Sequence, residues 1–241
     1  MTYLSRATSG RPFAISPWLF VIPPLATLVN VVSDSFSRLY LSASLELFAL
    51  ADSLTHSVVG VLLTTVVFVH RRPFRTLLIT SWLCSALIDV DHFISAGSVS
   101  LYAATSIHGH GRPFLHDTVT VAALCVIVIV ICELAYLWRR NSRQVNSWGE
   151  AFLPNSSDST SSRAENALRA RFYTPYVITL CVSLLAHHTR DALRRGFWFR
   201  PLNTRAISYP EMTLIFYGLV FVGKFFADAT TNIPRRSVFT V

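Results

Sequence analysis

Between Thr76 and Ile94 the chain carries an apolar run long enough to cross a bilayer, and the run ends on Asp89, Asp91 and His92. Carboxylates and an imidazole are costly in or beside hydrocarbon unless they are paired, wetted or bound to a cation. Any fold for this chain must therefore give three polar side chains company at the end of a membrane helix.

Composition sets the same class. The 241 residues are 52% hydrophobic and 14% charged, against about 25% charged in soluble domains, which predicts an all-α, polytopic integral membrane helical bundle with the lipid bilayer as its surroundings. The formal charge of +8 is carried almost wholly by arginine, with Lys224 the single lysine. These arginines fall between apolar runs, as topology signals do, and no basic helix with interleaved aromatics or Gly-rich phosphate loop is present, which argues against a nucleic-acid partner. Cys84, Cys125, Cys132 and Cys181 all lie inside apolar runs without C-x-x-C spacing and read as small core hydrophobes.

About six spans are expected. Residues 1–17 form a polar N-terminal segment, followed by spans at Trp18 to Ser33, kinked at Pro23-Pro24, then Ser44 to Val69, Thr76 to Ile94 and Leu115 to Trp138. Residues 139–171 turn to Arg, Ser and Asn and read as a disordered loop too polar to bury a core. Spans at Phe172 to Ala186 and Glu211 to Ala227 follow, and residues 228–241 form a basic tail. With both termini cytoplasmic, the Arg71-Arg72-Arg75 cluster, the 139–171 loop and the tail all fall on the cytoplasmic side, as the positive-inside rule asks.

That topology brings Asp52 and His56, then Asp89, Asp91 and His92, then His116, and finally His187, His188 and Asp191 to the opposite rim. Neutral imidazoles with carboxylates on facing helices are ligands for zinc, manganese or iron. Asp52 with His56 and His187 with Asp191 are at i and i+4, and Asp89 with His92 at i and i+3, so each pair shares a helix face. In an ideal helix Asp91 points away from that face, so either the last turn unwinds or Asp91 orients an imidazole. Gly60 continues the His56 face where another helix can approach closely. Arg112 and Arg190 on this rim read as an anion clamp.

At these residues the chain resembles the transmembrane protein 267 family, over most of the stretch from about Asp34 to Pro201. More distantly it is similar to LexA-regulated bacterial inner-membrane proteins described as membrane-bound metal-dependent hydrolases. The shared order is His56 with Gly60, then Asp89, Asp91 and His92, then Arg112 with His116, then His187 with Asp191, followed by Gly196 and Pro201. The bacterial pattern has His-Arg-Gly before its third histidine and a serine after it, where this chain has Gly111-Arg112-Pro113 and Asp117. The resemblance implies metal-assisted hydrolysis of a lipid-like ester or phosphoester, with Arg112 and Arg190 on the anion. Two other classes fit the same residues: a non-catalytic membrane protein with a structural or vestigial metal site, and a divalent-cation transporter, although transporter sites sit nearer the midplane on broken helices.

Overall fold

Apolar runs with every backbone group satisfied internally fold as helices in a membrane. The computed structural model describes residues 16–40, 44–69, 74–105, 113–150, 174–199 and 202–231. They form α1 (Trp18–Tyr40), α2 (Leu45–Phe68), α3 (Phe74–Leu87), α4 (Val90–Ala96), α5 (Leu101–Thr105), a 3-10 turn at Phe114–His116, α6 (Thr118–Glu150), α7 (Thr174–Arg195) and α8 (Tyr209–Thr231). A two-stranded antiparallel ribbon, β1 (Trp198–Phe199) with β2 (Leu202–Asn203), lies between α7 and α8.

α2 is the axis of the bundle, packing against α1, α3, α7 and α8. Its Val59, Leu63, Val66 and Val67 meet Ala26 of α1, Leu77 of α3, Val182 and Ala186 of α7, and Met212, Phe216 and Val220 of α8 in one core. A smaller cluster of Ile88, Val121, Cys125 and Leu184 joins α6 to α7. The outer faces stay apolar and exposed, with Phe20 and Leu28 on α1, Ile79 on α3, Ile127, Ile131 and Leu134 on α6, and Leu214 and Phe221 on α8. Apolar surface of that extent belongs against lipid. Five stretches are long and apolar enough to cross a membrane, Trp18–Ser37, Leu45–Phe68, Phe74–Ala96, Thr118–Ala135 and Tyr209–Asp228. The chain is an all-α integral membrane protein.

The remaining helix, α7, covers the expected fifth span but runs on to Arg195 and carries Thr179, Ser183, His187, His188, Thr189 and Arg190, all buried. It packs against α2, α3, α6 and α8, so its polar groups face protein rather than lipid.

Local chemistry explains several boundaries. α1 continues through Pro23 and Pro24. Pro24 cannot donate to the Phe20 carbonyl one turn back, and the Tyr217 hydroxyl of α8 donates to it instead at 3.1 Å. The run through Asp89 to Ile94 is not one continuous helix with the residues before it. It breaks at Ile88-Asp89, where bonds from the Asp89, Asp91 and His92 amides reach back three residues rather than four. The fourth span begins later than the expected Leu115, because Leu115 and His116 belong to the 3-10 turn. Asp117 then caps α6, accepting from the Val119 amide at 3.3 Å and the Thr120 hydroxyl at 2.8 Å. At its other end α6 continues to Glu150, into the stretch expected as loop. The Ser-rich segment within 151–173, the N-terminal residues before 16, the Arg71-Arg72 cluster and the tail beyond 231 lie outside the described residues.

Gly60 sits where α2 and α3 approach closely, since a Cβ there would come 2.2 Å from Ser85 Oγ and 3.2 Å from Ser81 Oγ. Gly196 ends α7 at φ +71°, and a Cβ there would lie 2.1 Å from the Thr204 carbonyl oxygen.

Candidate metal centre

The rim residues converge from four places: Asp52 and His56 on α2, Asp89, Asp91 and His92 at the α3–α4 break, His116 on the 3-10 turn, and His187, His188 and Asp191 on α7. His187 is fully buried. Its Nδ1–H donates to the Ser85 carbonyl at 2.9 Å, which fixes the tautomer and leaves a lone pair on Nε2. That Nε2 has no hydrogen-bond partner. What faces it is acceptor again: Asp89 Oδ1 at 3.6 Å and Asp191 Oδ2 at 3.7 Å.

His116 is oriented in the same sense. Asp91, fully buried, accepts the Leu115 amide at 2.7 Å and lies 3.2 to 3.3 Å from His116 Nδ1. Both of the alternatives set out for Asp91 therefore occur, since the helix breaks and the carboxylate holds an imidazole. His116 Nε2 then faces Asp89 Oδ1 at 3.6 Å and Asp191 Oδ2 at 3.4 Å. Burial opposes a charged His116, but the carboxylates of Asp89, Asp91 and Asp191 outweigh it and raise its pKa to about 10. The surroundings of this ring favour positive charge.

Two imidazole nitrogens and two carboxylate oxygens thus enclose one space, with nitrogen-to-oxygen edges of 3.4 to 3.7 Å. A tetrahedral ion with bonds of roughly 2.0 to 2.1 Å needs edges of about 3.3 to 3.4 Å. The four nitrogen-to-oxygen edges lie within a few tenths of an ångström of that value. In threes, His56, His187 and Asp191 place donor atoms within 4.8 Å of one another, and so do Asp89, His92 and His116.

Other predicted residues have further partners. His188 donates its Nε2–H to the Leu115 carbonyl at 2.9 Å, which ties α7 to the 3-10 turn. His92 meets His116 edge-on, with ring centroids 4.7 Å apart. Asp52 is 3.8 Å from His56 Nε2, yet its Oδ1 also accepts from Arg190 Nη2 at 2.5 Å and from Arg194 at 2.9 Å. Arg190 does not stand open to an anion. Its guanidinium is 1% exposed and is bonded to Asn30, Ser33, Asp34 and Asp52. Arg112 lies outside the described residues, as do His108, His110, Arg200 and Pro201.

The comparisons with known proteins agree with this membrane architecture. Transmembrane protein 267 of Danio rerio is 30% identical over 182 residues, covering 74% of this chain and 66% of the relative. That of Xenopus laevis is 31% identical over 164 residues, 67% of this chain and 60% of the relative, and that of Mus musculus 31% over 157 residues, 64% and 57%. This chain is a homologue of transmembrane protein 267. It spans 57 to 66% of the length of these relatives. No protein-family model matches the sequence, and no solved structure matches it.

In this transmembrane protein 267 homologue, two contributors to the site carry no signal of their own in the sequence. Asn30 sits in an apolar run of α1 and becomes a partner of Arg190 only across the α1–α7 contact. The Ser85 carbonyl is a backbone group, available to His187 because Gly60 lets α3 come close to α2. Asp34, at the end of the first apolar run, meets Arg190, Arg194 and the Tyr209 hydroxyl.

Proposed function

We propose that the chain is a member of the transmembrane protein 267 family, with cytoplasmic termini, in which Asp89, His116, His187 and Asp191 hold a divalent ion of zinc, manganese or iron at the non-cytoplasmic rim. The further reading is that the protein is a metal-dependent hydrolase of a lipid-like ester or phosphoester. One observation carries the metal: the buried lone pair of His187 Nε2 has no donor and faces two carboxylates. A buried arrangement of acceptors alone is unfavourable, and a cation relieves it. The hydrolase reading rests on the ordered set from His56 to Asp191, which resembles the LexA-regulated metal-dependent hydrolases.

Bound there, the ion would supply Lewis-acid polarisation of the scissile group and activate water near neutral pH. The chain supplies the rest. Asp91 and the Ser85 carbonyl hold the two imidazoles in the tautomer that presents Nε2. Hydrolysis adds one water across the ester, its oxygen going to the acyl carbon or phosphorus. The proton taken from that water passes to a carboxylate of this rim and then to the leaving alkoxide oxygen, which departs as the alcohol. Arg190, committed to Asp52 and Asn30, acts by position, and Arg112 is left for the substrate anion.

A second reading, a structural metal without catalysis, is favoured by one feature. Beside His116, His188, Asp191 and Trp198 the described residues leave a cavity of only about 10 Å³, roughly one water. Elemental analysis of the detergent-purified protein, beside a His116→Ala, His187→Ala double variant, tests the metal. At least one equivalent in the parent, lost in a variant that keeps its helicity, is expected. Metal in neither overturns the site. Release of a chromogenic alcohol from a phosphoester in mixed micelles, dependent on the metal, then separates the catalytic from the structural reading.

A further inference from the structure

We infer that the rim is built for two metal ions, with the Asp191 carboxylate shared between them and His56 as the imidazole of the second; this rests on the metal reading above and extends it. The two oxygens of Asp191 serve different partners. Oδ2 lies 3.4 Å from His116 Nε2 and 3.7 Å from His187 Nε2. Oδ1 turns the other way, to His56 Nε2 at 3.4 Å. A carboxylate with one oxygen facing each of two donor groups is the common bridge of paired metal sites.

The His56 side is itself a donor set. Asp52 Oδ2 stands 3.8 Å from His56 Nε2, while Arg190 holds the opposite oxygen of Asp52 at 2.5 Å. Arg194 bonds both oxygens from the outer side. The arginines therefore fix the Asp52 carboxylate and leave its inner edge directed at His56.

The rings set the spacing. His56 and His187 stack with centroids 3.6 Å apart and 14° between their planes. Each points Nε2 at an Asp191 oxygen. Two-metal centres hold their ions about 3.5 to 4 Å apart, the separation that parallel imidazoles at stacking distance naturally serve. Without a cation on each, the arrangement is hard to rationalise. Both rings are buried, His187 Nε2 has no hydrogen-bond partner, and His56 Nε2 faces carboxylate oxygens of both Asp52 and Asp191.

The test loads the purified full-length protein with manganese(II), removes unbound ion, and combines elemental analysis with low-temperature electron paramagnetic resonance. Two equivalents per chain and an exchange-coupled spectrum are expected from the parent. His56→Gln should fall to one equivalent and show the six-line signal of an isolated ion. The parent spectrum alone remains decisive if that variant fails to fold. One equivalent with a six-line spectrum in the parent overturns the two-ion inference and leaves the single centre standing. No bound metal of any kind overturns both. Two equivalents that survive His56→Gln but drop with His92→Gln would overturn the placement at His56.

Discussion

Asp52→Ala should be among the most damaging single changes on this rim, through the charge it strands. Arg190 is 1% exposed, and Asp52 accepts from it at 2.5 and 3.2 Å. Breaking a buried pair by removing one partner costs roughly 3 to 5 kcal/mol. Asp34 stays 3.4 Å from the guanidinium, which places the expected cost at the low end, about 3 kcal/mol. Arg190→Met removes the cation while Asp52 keeps its bonds to Arg194 at 2.9 Å, so about 2 kcal/mol is expected for the lost charged hydrogen bonds. The double variant has no stranded guanidinium. It should cost about 3 kcal/mol rather than the sum of about 5, a coupling of about 2 kcal/mol. The assay is unfolding of the detergent-solubilised protein with increasing denaturing detergent, followed by far-ultraviolet circular dichroism. Additivity within about 0.5 kcal/mol would refute the reasoning, because it would mean that the two side chains do not depend on each other.

Three further outcomes follow from particular contacts. Tyr217→Phe strands the Phe20 carbonyl freed by Pro24 and should cost about 1 kcal/mol; Pro24→Ala restores the helical donor and should make the same change neutral, so an equal cost in both backgrounds would contradict this account of the proline turn. Gly196→Ala forces an L side chain into φ +71° against the Thr204 carbonyl, and a thermal midpoint unchanged from the parent would show that the end of α7 is free to rearrange; a loss of about 1 to 3 kcal/mol is expected. Asp91→Asn should weaken metal retention about 10- to 100-fold, the usual effect of a lost partner to a ligating imidazole, measured by competition with a chelator, whereas Asp117→Asn, which keeps the cap on α6, should leave it unchanged.

Spacing along single helices was enough to find the rim. His187 with Asp191 and Asp52 with His56, each four apart, needed only helical periodicity, and the positive-inside rule put them at one depth. What spacing could not provide was the partner across the bundle. Arg190 stands between His188 and Asp191 in sequence and reads as part of their chemistry, yet on the helix it projects toward α1 and α2, where Asn30 and Asp52 meet it. Asp91 sat at the wrong phase for an ideal helix, and only the break at Ile88-Asp89 reconciles it with His116. Asp117 looked like a departure from a motif and is a helix cap. The polarity of α7 beyond Ala186 masked its continuation, since a helix wrapped by other helices has no need of an apolar periphery.

α7 also bears on how the protein enters the membrane. Hydrophobicity alone would not hold a segment that carries two histidines, three arginines and an aspartate near one end, because lipid-facing charges are costly during insertion, about 2.5 to 3.5 kcal/mol each at a helix centre. Its neutralising groups, Asn30, Asp34, Asp52, Ser85 and Asp89, all belong to segments synthesised earlier. The costliest helix therefore emerges from the ribosome after the groups that neutralise it, and a rearranged gene that moved α7 ahead of α2 should yield a chain that the translocation machinery fails to retain in the bilayer.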